Sequence, residues 1–148
     1  MANHEERQHA EFAPSGMERT LNCPGSMQQQ KNKPNKSSAA AEEGTQAHEY
    51  LELLVTQEMD YPAIPEEHEY MIEDLKLAVN YLDGLIDHYD SEDKHGYYYD
   101  VEMKVELSHL GGDCWGHLDF AIWSPKVGMD VVDFKFGYHP VEVDNNDQ

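Results

Sequence analysis

The chain has 148 residues, with ten Lys and Arg against thirty Asp and Glu and a formal net charge of −20. The length suits a single domain with a sizeable core. A bare surface of this charge repels phosphate polyanions, and no stretch approaches the roughly 18 consecutive apolar residues of a membrane span.

The opening "MANHEERQHAEF" has no apolar h-region, so no secretory signal is expected. Cys23 and Cys114 are too few for a disulfide framework, which predicts a reducing cytoplasm. The charge is unevenly spread. Up to Lys36 there are five basic and four acidic residues; from Ser37 onward there are five and twenty-six. The acids either form a solvated surface or gather divalent cations that then bring in a phosphate.

Residues 1–27 are polar, with Pro14, Gly16, Pro24 and Gly25 as punctuation. Residues 28–38, "QQQKNKPNKSS", are low in complexity and read as a mobile loop. The spacing of Ala40, Ala47, Leu51, Leu54 and Val55 predicts a helix over 39–59, with Gly44 blurring its start. "YPAIP" breaks the chain. A second amphipathic helix is predicted over 66–90, with Met71, Leu75, Ala78, Val79, Leu82 and Ile86 inward. The period then falls to two. In "YYYDVEMKVEL", Tyr97, Tyr99, Val101, Met103, Val105 and Leu107 alternate with Tyr98, Asp100, Glu102, Lys104 and Glu106, a half-buried strand. The tyrosines either stack bases or form half of a core. "HLGGDCWG" is a turn. Cys114 with His109 and His117 makes a weak zinc constellation there.

Residues 117–123 and 129–136 are two further strands joined at "SPKVG". As an antiparallel hairpin, its facing residue numbers sum to about 252–254, which sets Asp119 opposite Asp133 or Phe134. Strand side chains alternate, so Val131, Asp133 and Lys135 share one face, and Val132, Phe134 and Phe136 the other. Two opposed carboxylates repel unless a cation lies between them, and carboxylate oxygens suit Mg2+ or Mn2+. Lys135 would then help an attacking water or offset phosphate charge. The alternative is a surface hairpin carrying a Lys–Asp pair.

Asp119 in "GHLDF" followed by "VVDFKFG" resembles the Asp…(Asp/Glu)-x-Lys signature of PD-(D/E)XK nucleases. "EEGTQAHEYLE", with Gly44, Thr45 and His48, is similar to the helix motif of the RecB-like exonuclease branch. "APSGMERTLNCPGS" resembles the opening of a phage and prophage family in that branch, through Ser15, Arg19, Cys23, Pro24, Gly25 and Ser26, with Thr20 where Trp is usual.

The resemblance implies an α/β fold with a mixed central sheet flanked by helices, the restriction-endonuclease-like core, as a single nuclease-like domain over 1–148. It implies a metal-dependent DNA nuclease, an exonuclease in phage recombination or DNA processing, working in the host cytoplasm. His48, Asp119, Asp133 and the Phe134 carbonyl would hold Mg2+ or Mn2+, with Lys135, Asp119 and Asp133 in the catalytic role. Glu102 and Gln148 are further candidates. DNA is the implied partner, with a phage single-strand annealing protein as a second and no membrane. Relatives continue into a Gln-x-x-x-Tyr helix. This sequence stops at Gln148, the first residue of that motif, so the domain is expected to be incomplete after 148. The competing class is a non-catalytic interaction protein that keeps the nuclease scaffold.

Overall fold

The computed structural model describes residues 16–30, 38–107, 109 and 114–136. Ser15 and Gln148 lie outside the described residues. Helices α1 (Met17–Asn22), α2 (Gly25–Gln30), α3 (Ala39–Val55) and α4 (Ile72–Glu92) and strands β1 (Tyr98–Glu106), β2 (Trp115–Ser124) and β3 (Gly128–Val132) give a mixed α/β structure. The sheet is three-stranded and antiparallel, in the order β1-β2-β3. The expected mixed sheet is therefore only antiparallel among the described residues. Consecutive strands joined by short connections return antiparallel, whereas a parallel neighbour needs a long crossover.

The chain divides into two compact units. One holds α1 and α2 with the end of β1 from Lys104 and the start of β2 to His117. Gln28–Gln30, expected in the loop, instead complete α2; glutamine has good helix propensity, and nothing in these three residues breaks the helix. Within this unit the Leu107 N–H donates to the Cys114 carbonyl at 2.8 Å, and the Lys104 ammonium sits 4.5 Å from the Trp115 ring centre.

The other unit holds described residues 38–103 and 118–136, and all the expected site residues that are described. Ser38 caps α3, its hydroxyl accepting from the Ala41 N–H at 3.2 Å. The helix ends at Val55, four residues short of Met59. Gln57 turns left-handed (φ 59°), so its N–H bonds the Leu54 carbonyl and the Glu58 N–H bonds that of Leu53. That pair of bonds is a Schellman closure, which satisfies the last carbonyls and stops the helix. The predicted second helix begins with a separate 3-10 segment, Glu66–Met71, before α4. Pro65 at its N-cap holds the entry extended.

The core joins Ala47, Tyr50, Leu51 and Leu54 of α3 to Leu75, Ala78, Leu82 and Tyr89 of α4 and to Phe120 and Ile122 of β2. Burying each large apolar side chain contributes about 1.5–3 kcal/mol. In the hairpin, Phe120 faces Val132 and Ser124 faces Gly128. Gly128 has φ +117°, a torsion that favours glycine. Ser124, 1% exposed, fastens the turn. Its hydroxyl donates to Asp93 at 2.7 Å and accepts the N–H groups of Lys126 and Val127 at 3.0 and 3.3 Å. That contact first, and Lys126 after it, hold the Asp93 carboxyl below its usual range against the opposing effect of burial.

β3 ends at Val132, so Asp133–Phe136 continue outside the ladder rather than as the expected strand to 136. The alternation persists without it. Val131, Asp133 and Lys135 are exposed, while Val132, Phe134 and Phe136 pack half-buried against the core. Tyr98 and Tyr99 are exposed, each stacked on one ring, Trp123 and Phe120 respectively. Among the described residues, no helix is long and apolar enough to cross a membrane.

Candidate metal centre

His48 lies in the third turn of α3, one turn beyond Gly44. Its ring meets Phe136 edge-on, with centroids 5.2 Å apart. A Cβ placed on Gly44 would find the Phe136 carbonyl at 3.9 Å, an ordinary contact. The 133–136 segment therefore runs across the Gly44–His48 face of the helix. Thr45, between them, bonds its hydroxyl back to the Ala41 carbonyl at 3.0 Å.

His48 Nδ1 stands 3.4 Å from Asp119 Oδ1 and 3.7 Å from Glu102 Oε1. The three side chains are poorly exposed: His48 at 22%, Asp119 at 13% and Glu102 at 9%. One ligand atom from each lies within 4.8 Å of the others. Ligands of one Mg2+ at 2.0–2.1 Å stand about 3 Å apart on adjacent octahedral corners and about 4 Å apart on opposite ones. The spacing fits with little adjustment, and an imidazole with two carboxylates is a donor set suited to a divalent cation.

Each of the three side chains is positioned in its own way. Asp119 is fixed by the chain crossing beside it, since the Phe134 N–H donates to its Oδ2 at 2.6 Å. Glu102 is turned by its own backbone, with φ 52° inside β1. A left-handed torsion departs from the period-two geometry of the strand on either side of it. Burial raises the Asp119 carboxyl above its usual range. His48 and the Phe134 N–H oppose this, Asp133 adds to it, and Lys135 subtracts. A carboxylate that is costly to ionise alone is one that an adjacent cation stabilises strongly.

The other expected residues lie beside this trio. Asp133 and Lys135 are exposed and pair with each other, Lys135 Nζ to Asp133 Oδ2 at 2.6 Å. Both act on the Asp119 carboxyl electrostatically. Phe134, expected to contribute its carbonyl, meets Asp119 through its N–H. The tight cluster is thus His48, Asp119 and Glu102. Glu102 is the weaker candidate in the sequence because strand alternation leaves it on a face that reads equally well as solvated; its left-handed torsion inside β1 is a feature that periodicity does not signal. Among the described residues, Cys114, His109 and His117 form no ligand group of this kind.

Fold and site together define an α/β chain with a histidine–dicarboxylate cluster of metal-ligand chemistry. The chain belongs to a family of proteins of unknown function, DUF2800, whose model matches residues 9–148. No solved structure matches it.

Proposed function

We propose that the chain is a metal-dependent DNA nuclease of the PD-(D/E)XK superfamily, in its RecB-like exonuclease branch, built on a restriction-endonuclease-like core. The observation that carries this reading is the convergence of His48, Asp119 and Glu102, with the Lys135–Asp133 pair acting on the same Asp119 carboxyl. His48, Asp119 and Glu102 would hold Mg2+ or Mn2+, with Asp133 in support. The ion supplies Lewis-acid polarisation of a phosphodiester and lowers the pKa of a water. The Phe134 N–H keeps the Asp119 carboxylate aimed. Lys135, 40% exposed, leaves Asp133 for a phosphate oxygen and offsets charge as the bond to phosphorus changes. The substrate is DNA in phage recombination or processing within the host cytoplasm, and a single-strand annealing protein is a fitting partner.

The rival reading is a non-catalytic interaction protein on the same scaffold, favoured by the net charge of −20. Linear DNA incubated with Mn2+ and the protein separates them. The nuclease reading expects degradation that Asp119→Ala abolishes. It also expects Lys135→Ala to fold, bind Mn2+ and cut roughly 10²–10³ times more slowly. Activity that survives Lys135→Ala unchanged removes the assigned mechanism, and no Mn2+-dependent cutting at all leaves the scaffold reading.

A further inference from the structure

Beside the metal cluster runs an open groove of about 370 Å³. One wall is two turns of α4, carrying Asp74, Leu77, Ala78 and Tyr81; the other is Phe134, Lys135 and Phe136. We infer that this groove seats a nucleobase of the strand whose phosphate lies at the candidate metal cluster, with Tyr81 as the stacking face and Phe134, nearly perpendicular to it, against the edge of the base. The inference rests on the nuclease reading for the phosphate and on the groove's own chemistry for the base.

Four observations support it. Leu77 and Tyr81 are 69% and 57% exposed, although their neighbours Ala78 and Leu82 are buried. Helix packing therefore does not account for these large apolar groups. Tyr81 meets Phe134 edge-on with centroids 6.4 Å apart, which leaves ring faces for a flat ligand. The second wall is continuous with the candidate site: Phe134 bonds Asp119, Phe136 contacts His48, and Lys135 pairs with Asp133. Finally, the charged groups of the groove are one ammonium, Lys135, on the cluster side, and one carboxylate, Asp74. A nucleotide complements that pairing, with its phosphate toward Lys135 and a base amino group toward Asp74.

Asp74 also implies a base preference. Cytosine presents an exocyclic amine, which a carboxylate accepts well. Thymine flanks its lone ring N–H with two carbonyl oxygens, which a carboxylate repels.

The test measures binding of short fluorescent oligo(dC) and oligo(dT) to the whole chain in EDTA at moderate salt, where no metal-dependent cutting occurs. Tyr81→Ala is expected to weaken oligo(dC) binding roughly five- to a hundredfold. Tyr81→Phe, which keeps the ring, is expected to bind as wild type does. Asp74→Asn should remove the preference for oligo(dC) over oligo(dT). Tyr98→Ala, on the sheet and outside the groove, should change neither. The inference is overturned if oligo(dC) does not bind, if Tyr81→Ala binds as wild type does, or if Tyr98→Ala alone weakens binding. Its failure is distinct from that of the nuclease reading. Cutting with Mn2+ that coexists with a silent Tyr81→Ala sinks only the groove; Tyr81-dependent binding without any cutting sinks only the nuclease.

Discussion

Glu102 stands in the cluster with a left-handed backbone, and that torsion has a cost. A non-glycine residue at φ 52° carries on the order of 1–3 kcal/mol of backbone strain, which the surrounding strand must sustain. Asp119 and His48 are legible in the sequence because their neighbours carry a recognisable pattern. Asp133 ranks above Glu102 there because it stands in the Asp-x-Lys motif that carries the resemblance, whereas Glu102 reads equally well as part of a solvated strand face. Among the described residues it is Glu102, not Asp133, that stands in the ligand-spaced cluster with His48 and Asp119. At a Mn2+ concentration a hundredfold above Kd, mass action should stabilise the wild-type chain by about 2.7 kcal/mol. Asp119→Asn and Glu102→Gln are each expected to abolish most of that gain. Asp133→Asn, with a side chain that is 55% exposed, should keep it within roughly a tenfold change in affinity. Thermal melts with and without Mn2+ decide the matter: a melting-temperature rise in Glu102→Gln equal to that of wild type would put the ion elsewhere among the acids.

The elements carry two further expectations. Gly44 sits inside α3 with room for a methyl group, since the nearest atom to a Cβ at this position is the Phe136 carbonyl oxygen at 3.9 Å. Gly44→Ala should therefore stabilise the helix by roughly 0.5–1 kcal/mol in denaturant melts. A lower midpoint instead would mean that the close run of the 133–136 segment tolerates no Cβ. The second expectation concerns the tie between α4 and β3. Tyr89, 0% exposed, donates its hydroxyl to Asp130 Oδ2 at 2.8 Å. Burial first, then that hydrogen bond and the Asp130 charge, push the hydroxyl from 10.0 up to about 12. Between these values the native state binds more protons than the unfolded one. The stability is thus fully present below pH 10 and declines as pH rises toward 12, by at most about 1.4 kcal/mol per pH unit. Tyr89→Phe should cost about 0.5–1.5 kcal/mol at neutral pH and flatten that alkaline decline. Melts from about pH 9 to about pH 12 check it, and equal slopes in the two proteins would remove Tyr89 as the source. Both helices are legible in their apolar spacing, and the hairpin in its turn residues: facing numbers sum to 252, at the edge of the expected range. The end of α3 is not legible, because a glutamine rather than a glycine takes the left-handed closing position. The early end of β3 is also hidden, since the alternation of 131–136 survives where the hydrogen-bond ladder does not.

At the scale of the whole chain, the −20 charge sets how any encounter with DNA must depend on salt. A basic DNA-binding protein loses affinity as salt rises, with a log–log slope of about −0.9 for each phosphate it neutralises. The candidate site offers one ammonium, Lys135, for that purpose. Its contribution would be a slope of about −0.9 at most. Against it stands repulsion between two polyanions, which salt relieves as the screening length shortens from about 30 Å at 0.01 M to about 10 Å at 0.1 M. With Mn2+ held saturating, moderate NaCl should therefore leave DNA binding nearly unchanged or strengthen it, and association should speed up rather than slow down. Anisotropy of a labelled duplex across an NaCl series, using Lys135→Ala to suppress cutting, gives the slope directly. That variant lacks the Lys135 ammonium, so its slope should be zero or positive. A slope as steep as that of a protein with several Lys and Arg contacts would mean that DNA is held on a basic surface outside this site, and the metal-bridged mode of binding would be wrong.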